Sequence, residues 1–499
     1  MAMRQKTVNV EIYGQTVAVT GLYHHSHMVR PGGLFFCLKD GKYIPEAIQN
    51  GATVVVTEVG VPVDDKKVTH IVVDDVRETM ALTAKQFYDN VADKMRITAV
   101  IGTNGKTTTS YIVRHILETA SGKNVGLIGT TGIFGAGKKW DGLTTLTTPD
   151  PIDLHEALAC MYRNGVRDVV MEISAHAIYY RKVAGINFAG VIFTNITQDH
   201  LDFFQTFEHY KNTKLLFFKE LQAGNVVING DDTYALAVAD AVRDQPNVHA
   251  ISYSLRGDSI VGTNQWTFVE QVKLTAMGSD FVLPKVGRCH LAIPGLYNVY
   301  NGVAAALICN SYGIAWPIIQ DALTSLPEVP GRFNTYQIKG VTAVIDYAHT
   351  PDGLQKLLEN ARALLPNRDA KLTVVFGCGG VRDRVKRPKM GAIAYQLADY
   401  TVLTSDNPRT EDPDAIIDEI ERGIQTLNVT NLINTLDETP NPKYTRITDR
   451  TKAINFAIER ANVGDIVVIA GKGHENYMDI NNQKIPYMDR KVLDNILRG

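Results

Sequence analysis

The fold of this 499-residue chain is best predicted from residues 97–109, Ile97-Thr98-Ala99-Val100-Ile101-Gly102-Thr103-Asn104-Gly105-Lys106-Thr107-Thr108-Thr109. The first five residues of this stretch are apolar or β-branched, which predicts a short buried strand. Two glycines then flank Thr103 and Asn104, and the residues after Lys106 have helical spacing. A strand, a glycine-rich loop and a helix in this order form a phosphate-binding site, because backbone N–H groups and the positive end of the helix dipole face the anion. The stretch therefore predicts a nucleotide-phosphate site on an α/β fold.

The loop of this stretch contains the residue types that a phosphate site needs. Lys106 can reach the β- and γ-phosphates of a nucleotide, and the hydroxyl of Thr107 can bind Mg²⁺. Val100 occupies the position of the first glycine in the strict P-loop motif, so the match is to a shorter variant. An ordinary glycine-rich turn is the alternative, and the Lys-Thr-Thr run argues against it. The predicted ATP contacts in this loop are Gly102, Thr103, Asn104, Gly105, Lys106, Thr107 and Thr108.

The composition is that of an ordinary globular protein, with 45% hydrophobic and 21% charged residues. The formal net charge of −2 provides no basic field, so we expect no nucleic-acid partner. Five cysteines without a Cys-x-x-Cys pair favour a reducing compartment. The first residues lack a secretory signal, and no apolar stretch is long enough to span a bilayer. We therefore expect a cytoplasmic protein without a membrane partner.

The length predicts about three domains, and alternating strand and helix patterns predict the α/β class for each. Residues 1–93 are expected to form a small N-terminal α/β domain, with helices at 43–50 and 77–93. Residues 94–330 form the central P-loop domain. Residues 331–499, after a linker rich in proline and glycine, form a Rossmann-like C-terminal domain. The elements predicted for this last domain are 342–347, 351–364, 372–377, 389–398, 400–403, 413–425 and 465–469.

Two polar residues mark the ends of predicted central strands. Glu172 interrupts the apolar run 168–174, and a carboxylate at the end of a central strand beside a P-loop suits Mg²⁺. A buried glutamate with a purely structural partner is the alternative. His200 follows the strand 190–195 in an Asp-His-x-Asp loop, where it is a candidate ligand. Both residues are expected at the same edge of the sheet.

Three further features of the central domain leave alternatives open. Lys214 lies beside an apolar run in the helix predicted at 207–221, and desolvation would favour its neutral amine, although the spacing alone favours a surface lysine. Thr147 and Thr148 precede a helix start, where they can contact a substrate or cap the helix. Asn298 and Asn301 share one helical face and can bind a nucleotide base or cap their helix.

Polar loops follow the predicted strands of the third domain, which puts them at one edge of its sheet. Read in order with the motifs of the central domain, they resemble the ATP-dependent Mur ligases of peptidoglycan synthesis over nearly the whole chain. The motifs that carry the resemblance are Gly-Thr-Asn-Gly-Lys-Thr-Thr (102–108), Leu-Thr-Thr-Pro (146–149), Met-Glu-Ile-Ser-Ala-His (171–176), Thr-Asn-Ile-Thr-Gln-Asp-His-Leu-Asp (194–202), Asp-Tyr-Ala-His-Thr-Pro (346–351), Asp-Asn-Pro-Arg (406–409) and Gly-Lys-Gly-His-Glu (471–475).

The resemblance implies an amide ligase that uses ATP and Mg²⁺. ATP would phosphorylate the γ-carboxylate of D-glutamate in a UDP-N-acetylmuramoyl-dipeptide, and a diamino acid would attack the acyl phosphate. The family's metal positions match Glu172 and His200, which join Thr107 of the P-loop in the predicted metal set, and its carbamylated lysine matches Lys214. The implied catalytic set is Lys106, Glu172, His200 and Lys214. The other implied contacts are Asn298, Asn301, Arg332, Asp346 and His349 for ATP, and Ser26, Thr147, Thr148, Ser174, Tyr180, Lys182, Arg382, Asp406, Asn407, Pro408, Arg409, Gly471 and Glu475 for the two other substrates.

The chain departs from the family pattern mainly in the regions that contact the nucleotide sugar. His25 and His27 flank Ser26 where the family usually has Asp-Ser-Arg, and from the residues alone a polar surface loop is the better explanation of Ser26. Tyr180 and Lys182 stand where a glutamine and an arginine are frequent. We expect the phosphoryl chemistry to be unaffected by these changes.

Arg409 bears on which diamino acid is added. A planar guanidinium suits a bidentate contact with a carboxylate, and meso-diaminopimelate has a distal carboxylate that L-lysine lacks. Glu475 can take the distal ammonium, so the sequence favours diaminopimelate, with L-lysine or another diamino acid as the alternative. A non-catalytic P-loop protein would not need the loops of the third domain, and folylpolyglutamate synthetase lacks the Asp-Asn-Pro-Arg motif. We further expect a monomer.

Overall fold

The computed structural model describes residues 7–140, 146–221, 224–257, 262–275, 278–434 and 443–498, with only the backbone of 428–434. Over these ranges the chain forms three successive α/β units, each with its own mainly or wholly parallel sheet. This confirms the predicted fold class. The boundaries after residues 93 and 330 stay predictions.

The first unit has a four-stranded parallel sheet and a separate antiparallel hairpin. Its described strands and helices are β1 (Val8–Ile12), β2 (Gln15–Val19), β3 (Leu22–Tyr23), β4 (Gly33–Phe36), β5 (Ala52–Glu58), β6 (Thr69–Val73), α1 (Ile44–Gln49) and α2 (Val76–Phe87), with 3₁₀ helices at Ser26–Met28 and Val91–Lys94. The sheet order is β3-β4-β5-β6, and β1 pairs with β2. The helix predicted at 77–93 is wrong at its end, because Asp89 and Asn90 have φ values of 60° and 51°, which an α-helix cannot accommodate.

The second unit is built on a nine-stranded sheet. Its described strands are β7 (Arg96–Ile101), β8 (Gly126–Gly129), β9 (Gly132–Gly135), β10 (Lys138–Trp140), β11 (Asp168–Ile173), β12 (Gly190–Phe193), β13 (Gly224–Asn229), β14 (Val248–Ser254), β15 (Gln265–Phe268), β16 (Glu270–Thr275), β17 (Gly278–Leu283) and β18 (Gly287–Leu291). Its described helices are α3 (Lys106–Ser121), α4 (Pro151–Arg163), α5 (Ala175–Tyr179), α6 (Leu201–Phe204), α7 (Phe207–Lys219), α8 (Ala235–Arg243), α9 (Leu296–Ser311) and α10 (Trp316–Thr324).

Strand β7 lies in the middle of this sheet, whose order is β10-β9-β8-β11-β7-β12-β13-β14-β15. The strands from β8 to β15 along this order run parallel, so their carboxyl ends share one edge. Ile97, Ala99 and Ile101 of β7 contribute to the core on one face of the sheet, and Val100 contributes to the core on the other. Burial on both faces explains why β7 is apolar over its last three residues, Ala99 to Ile101.

The third unit has a six-stranded sheet in the order β19-β20-β24-β21-β22-β23, with only β19 antiparallel to its neighbour. Its described elements are β19 (Asn334–Ile338), β20 (Val341–Asp346), β21 (Leu372–Phe376), β22 (Tyr400–Leu403), β23 (Tyr444–Arg446), β24 (Ile466–Ala470), β25 (Tyr477–Ile480), β26 (Gln483–Pro486), α11 (Pro351–Ala363), α12 (Lys386–Leu397), α13 (Pro413–Asn434), α14 (Arg450–Arg460) and α15 (Asp489–Arg498). The prediction of a doubly wound sheet is confirmed. Helix α13 is longer than the predicted 413–425, and the sequence analysis missed β19, β23, α14, α15 and the β25–β26 hairpin.

No helix within the described ranges is long and apolar enough to cross a membrane.

His155 on α4 is a buried residue with a consequence for stability. Its side chain is fully buried, and neither ring nitrogen has a hydrogen-bond partner among the described residues. Burial, aided by Lys85, lowers the pKa of His155 to about 4, against an unfolded value of about 6.5. The unfolded chain therefore binds this proton first as the pH falls. The stability linked to His155 is complete above about pH 6.5 and is lost between about pH 6.5 and pH 4.

We expect a His155→Leu variant to be less sensitive to acid than the wild type. Between about pH 7.5 and pH 5, His155 should account for about 2 kcal/mol of the lost free energy of unfolding, because that interval covers about 1.5 pH units below its unfolded pKa. Urea unfolding at the two pH values measures the difference. His27→Leu, at an exposed histidine, is the matched control. An equal loss of stability in wild type and His155→Leu would contradict the assignment.

Candidate active site

The P-loop connects the carboxyl end of β7 to the start of α3. Gly105 is the N-cap of α3 with a φ of 85°, a conformation that favours glycine. The ammonium of Lys106 folds back over the loop and donates hydrogen bonds to the carbonyl oxygens of Gly102, at 3.0 Å, and Thr103, at 2.8 Å. Burial lowers the pKa of Lys106, while the carboxylates of Glu172 and Asp199 oppose that shift. The loop thus holds a cation where the sequence predicts a nucleotide phosphate.

Glu172 lies at the carboxyl end of β11, buried beside the P-loop. Its carboxylate accepts hydrogen bonds from the Thr107 hydroxyl at 3.1 Å, the Thr130 hydroxyl at 3.0 Å and the Thr130 backbone N–H at 3.1 Å. Arg332 reaches across from the third unit and donates to the Thr107 hydroxyl at 2.9 Å. The structure therefore brings Thr107, Glu172 and Arg332 together.

Lys214 is buried on α7, with 1% of its surface exposed. Its ammonium donates to the Thr103 hydroxyl at 3.1 Å and lies 4.5 Å from the centre of the Tyr210 ring. Burial lowers the pKa of Lys214 well below its ordinary value, and Lys106 lowers it further. The sequence-based expectation of a surface lysine is wrong, because α7 packs this face of the helix against the P-loop.

His200 is the N-cap of α6 and has a φ of 54°. Its side chain is about two-fifths exposed, and its Nε2 lies 3.4 Å from a carboxylate oxygen of Asp199. Partial burial of the ring lowers the pKa of His200, although the carboxylate of Asp199 opposes this shift. Among the described residues, no group of three histidine, cysteine, aspartate or glutamate side chains is arranged to hold a metal ion. Of the predicted metal set, the structure joins Thr107 to Glu172 by a hydrogen bond and pairs His200 with Asp199.

The threonines before α4 lie next to Glu172. Thr148 donates its hydroxyl to the Glu172 carbonyl oxygen at 2.9 Å and accepts from the Ser174 backbone N–H at 3.1 Å. The hydroxyl of Thr147 lies 3.2 Å from that of Thr130. Lys182 pairs with Asp150 at 2.9 Å. These contacts hold Thr147 and Thr148 against Thr130 and the end of β11.

The two asparagines of α9 are buried and linked, since Asn301 donates to the Asn298 side-chain oxygen at 3.2 Å. The Thr109 hydroxyl donates to Asn301 at 3.2 Å, so this pair lies against the P-loop helix. The prediction that they share a helical face is confirmed. Asn298 also donates to the carbonyl oxygen of Pro294 at 2.7 Å, just before the start of α9.

Two predicted ATP contacts, Asp346 and His349, lie at the end of β20 and in the loop that follows it. Asp346 accepts hydrogen bonds from the backbone N–H groups of Phe333 at 2.8 Å and Ala348 at 2.7 Å, and burial raises its pKa. His349 has a pKa lowered to about 4 by burial and by Lys386. The guanidinium of Arg332 stacks 4.6 Å from the ring centre of Tyr347. This loop therefore fixes the position of Arg332.

The Asp-Asn-Pro-Arg motif and the Gly-Lys-Gly-His-Glu motif lie side by side at the ends of β22 and β24. Asn407 donates to Glu475 at 2.8 Å. Arg409 donates to the carbonyl oxygen of Gly380 at 2.6 Å and has its Nε 3.7 Å from a carboxylate oxygen of Asp479. Its backbone also pairs with the β25–β26 hairpin, because the Arg409 N–H donates to the Asp479 carbonyl oxygen at 2.9 Å. This confirms the prediction that these two loops lie at the same edge of the sheet, where the parallel strands end.

Over the described ranges, the remaining predicted site residues make no hydrogen bond or ion pair with the P-loop side chains. Ser26 is buried and donates its hydroxyl to Glu46, so the surface-loop interpretation is wrong. Tyr180 lies under the guanidinium of Arg77, at 4.4 Å from the ring centre. Arg382 is exposed. Pro408 lies in the motif loop between Asn407 and Arg409, and Gly471 donates its N–H to the Asp346 carbonyl oxygen at 3.1 Å.

Sequence reasoning missed several residues that organise this site. Thr130 follows β8 directly, so the strand-end rule that selected Glu172 also applies to it. Lys472 lies in the Gly-Lys-Gly-His-Glu motif, but the sequence predicts no contact for its side chain. Asp479 and Asp352, which accepts a hydrogen bond from Asn104 at 2.7 Å, lie in no motif and carry no local signal.

Comparisons with known proteins agree with these motifs. The Mur ligase middle domain family matches residues 100–309, and the Mur ligase, glutamate ligase domain family matches residues 331–473. The UDP-N-acetylmuramoyl-L-alanyl-D-glutamate–2,6-diaminopimelate ligase of Clostridium tetani is 37% identical over 96% of this chain and 95% of that protein. A relative of the same name, numbered 1, from Clostridium acetobutylicum is 38% identical over 97% and 95%. A solved structure of an enzyme of that name is 30% identical, covers 99% of both chains and superposes with a TM-score of 0.67.

Proposed function

The chain belongs to the Mur ligase family, and from this we propose that it is an ADP-forming ligase that joins UDP-N-acetylmuramoyl-L-alanyl-D-glutamate to meso-2,6-diaminopimelate. The bond formed is an amide at the γ-carboxylate of D-glutamate, in the synthesis of a peptidoglycan precursor in the cytoplasm. The observation that carries the proposal is the hydrogen bond from Arg332 to Thr107, because it joins the phosphate site to the loops of the third unit. A non-catalytic nucleotide-binding protein would not need this junction.

ATP is the phosphoryl donor in this proposal. The backbone N–H groups from Gly105 to Thr108, at the N-terminus of α3, face the phosphates, whereas Thr103 and Asn104 donate their N–H groups to Asn195. Lys106 exchanges its carbonyl partners for phosphate oxygens when ATP binds, and Arg332 supplies a second cation. Both cations stabilise the negative charge on the transferring phosphoryl group. Asn298, Asn301, Asp346 and His349 complete the nucleotide contacts.

The site contains oxygen ligands suited to Mg²⁺. Thr107 and Glu172 present a hydroxyl and a carboxylate 3.1 Å apart, and Mg²⁺ is commonly bound by one or two carboxylates together with substrate phosphates and water. The described residues therefore fit the ion without a cluster of three acidic or histidine ligands. When bound, Mg²⁺ neutralises charge on the phosphates of ATP. His200 and a carbamylated Lys214 are the other proposed ligands.

The reaction proceeds in two transfers. A γ-carboxylate oxygen of the dipeptide's D-glutamate attacks the γ-phosphorus of ATP, and ADP leaves with the bridging oxygen. The neutral amine of the diamino acid then attacks the acyl carbon, the C–O bond to phosphate breaks, and the amine nitrogen loses one proton. Thr147, Thr148, Ser174, Tyr180 and Lys182 hold the dipeptide, and Ser26 contributes to the uridine region. Holding the amine against the activated carbon is the chain's main contribution to the second transfer.

The amino-acid substrate is bound by the loops of the third unit. Asp406, Asn407, Pro408 and Arg409 form one wall, and Gly471 and Glu475 form the other, with Arg382 at the entrance. Arg409 offers the guanidinium that a distal carboxylate requires. The closely related enzymes named above act on 2,6-diaminopimelate by their names, which supports this amino acid over L-lysine.

The proposed function is tested by ADP release from the purified protein. Release should require both the UDP-muramoyl-dipeptide and the amino acid, and diaminopimelate should be preferred in a screen that includes L-lysine, L-ornithine and D-glutamate. Release that is independent of the dipeptide would exclude the proposal. Sedimentation of the active protein tests the expected monomer.

Replacing Arg409 by alanine should weaken the preference for diaminopimelate over L-lysine. Arg409 is about one-fifth exposed and already contacts Gly380 and Asp479, so we expect the lower end of the range for such a charge pair, about 2 kcal/mol or roughly 30-fold in relative kcat/KM. Competition between the two amino acids measures this ratio in wild type, Arg409→Ala and Arg368→Ala, an exposed control. A wild type that prefers lysine would remove this role from Arg409.

A further inference from the structure

Lys472, at the start of the loop after β24, is a fully buried lysine. Removing an ammonium from water is costly unless nearby charges and hydrogen bonds compensate for the lost hydration. The nucleotide contacts and the phosphoryl chemistry proposed above do not use this residue. Its partners therefore indicate what the buried charge does.

The ammonium of Lys472 joins the two motif loops at the amino-acid site. It donates to a carboxylate oxygen of Glu475 at 2.9 Å and to the side-chain oxygen of Asn407 at 3.0 Å. A carboxylate oxygen of Asp406 lies 4.0 Å away. Because Asn407 also donates to Glu475 at 2.8 Å, the three side chains form a closed triangle of hydrogen bonds.

This triangle sets the orientation of both proposed substrate contacts. The Asn407 side-chain oxygen accepts from Lys472 and from the backbone N–H of Asp479, at 2.9 Å, so its NH₂ group must point toward Glu475. Among the described residues, the hydrogen bonds to the Glu475 carboxylate all fall on Oε2. The other oxygen, Oε1, is thereby left for a ligand.

We propose that Lys472 is a positioning residue for the incoming amino acid. It does not touch the substrate; it holds the Asn407 amide and the Glu475 carboxylate in one arrangement before the substrate binds. Pre-organised contacts lose less conformational freedom on binding, so their effect is on affinity for the amino acid. The inference rests on the proposed function, since it concerns the amino-acid site of that same reaction.

The test compares Lys472→Met, which removes the charge and the donors, with Lys472→Gln, which keeps donors without the charge. Lys484→Met is the control, because Lys484 is an exposed lysine in the neighbouring hairpin. For each variant, KM is measured for the diamino acid and for ATP, together with kcat and the midpoint of thermal unfolding.

We expect Lys472→Met to raise KM for the amino acid about 10- to 100-fold, the usual effect of losing a group that orients a binding residue, with KM for ATP within about twofold of wild type. Lys472→Gln should recover part of the affinity, and it decides the matter if Lys472→Met does not fold. An amino-acid KM within about twofold of wild type, or equal increases in both KM values, would overturn the inference. A wild type that releases ADP with no diamino acid would instead refute the proposed function.

Discussion

A Lys106→Ala variant is expected to release ADP about 10³- to 10⁵-fold more slowly than the wild type, which is the range for removing a fixed cation from a transferring phosphoryl group. The ammonium of Lys106 is held within 3.0 Å of two P-loop carbonyl oxygens, so it is already located beside the phosphate site. No other lysine stands in the P-loop stretch from Gly102 to Thr109. Steady-state ADP release at saturating substrates measures the effect on kcat.

The control for Lys106 is Lys123→Ala, at an exposed lysine just beyond the end of the same helix. It should retain wild-type turnover and thermal stability. The Lys106 variant should fold normally, because its ammonium contacts only backbone oxygens of its own loop. Turnover within about tenfold of wild type in Lys106→Ala would show that the P-loop does not serve phosphoryl transfer.

Loss of the Lys214 side chain should lower turnover about 10²- to 10⁴-fold, corresponding to several kcal/mol of charge stabilisation. We propose that its neutral amine adds to CO₂ and loses a proton, forming a carbamate whose oxygens bind Mg²⁺. Carbamate formation requires a neutral amine, and burial favours that form because it strongly lowers the pKa of Lys214. The side-chain nitrogen also has the Thr103 hydroxyl as a hydrogen-bond partner. A lowered pKa increases the fraction of Lys214 that is present as the neutral amine, which is the form that reacts with CO₂.

Two measurements separate a carbamate from a simple structural lysine. Lys214→Ala should regain part of its activity when a small carboxylate such as acetate is added, whereas Lys219→Ala, at an exposed lysine of α7, should need no rescue. Equilibration with ¹³C-labelled bicarbonate should give a carbamate ¹³C NMR signal in wild type that Lys214→Arg lacks. Absence of both the rescue and the signal would exclude the modification.

The sequence predicted those parts of the fold whose backbone geometry is specified by residues next to one another in the chain. Strand β7, the P-loop and α3 were predictable because an apolar run, two glycines and helical spacing each specify local geometry. Helix α2 shows the limit, since it ends at Phe87 where two residues adopt left-handed φ values that nothing in the apolar spacing indicates. Helices α14 and α15 were missed although local signals mark both, since Asp449 caps α14 and apolar residues recur with helical spacing in α15.

A buried ion pair joins these two helices, between Arg450 on α14 and Asp489 on α15, at 2.8 Å. Arg450 also donates to the carbonyl oxygen of Ala470, at 2.9 Å, where the Gly471–Glu475 loop begins. Breaking one member of a buried pair leaves an uncompensated charge, so such a pair holds its elements strictly in place. Neither residue belongs to a motif, and no local feature marks them.

The features of the candidate active site also fall into those that the sequence predicts and those that depend on the folded structure. The phosphate loop, Glu172 at a strand end and the series of polar loops in the third unit could be predicted from the sequence, because each depends on residues close together in the chain. The folded structure was needed to show that Arg332 reaches Thr107, 225 residues away, that Lys214 is buried and that Lys472 links two loops. Burial and charge pairing depend on which surfaces pack together, and that packing is a property of the whole folded chain.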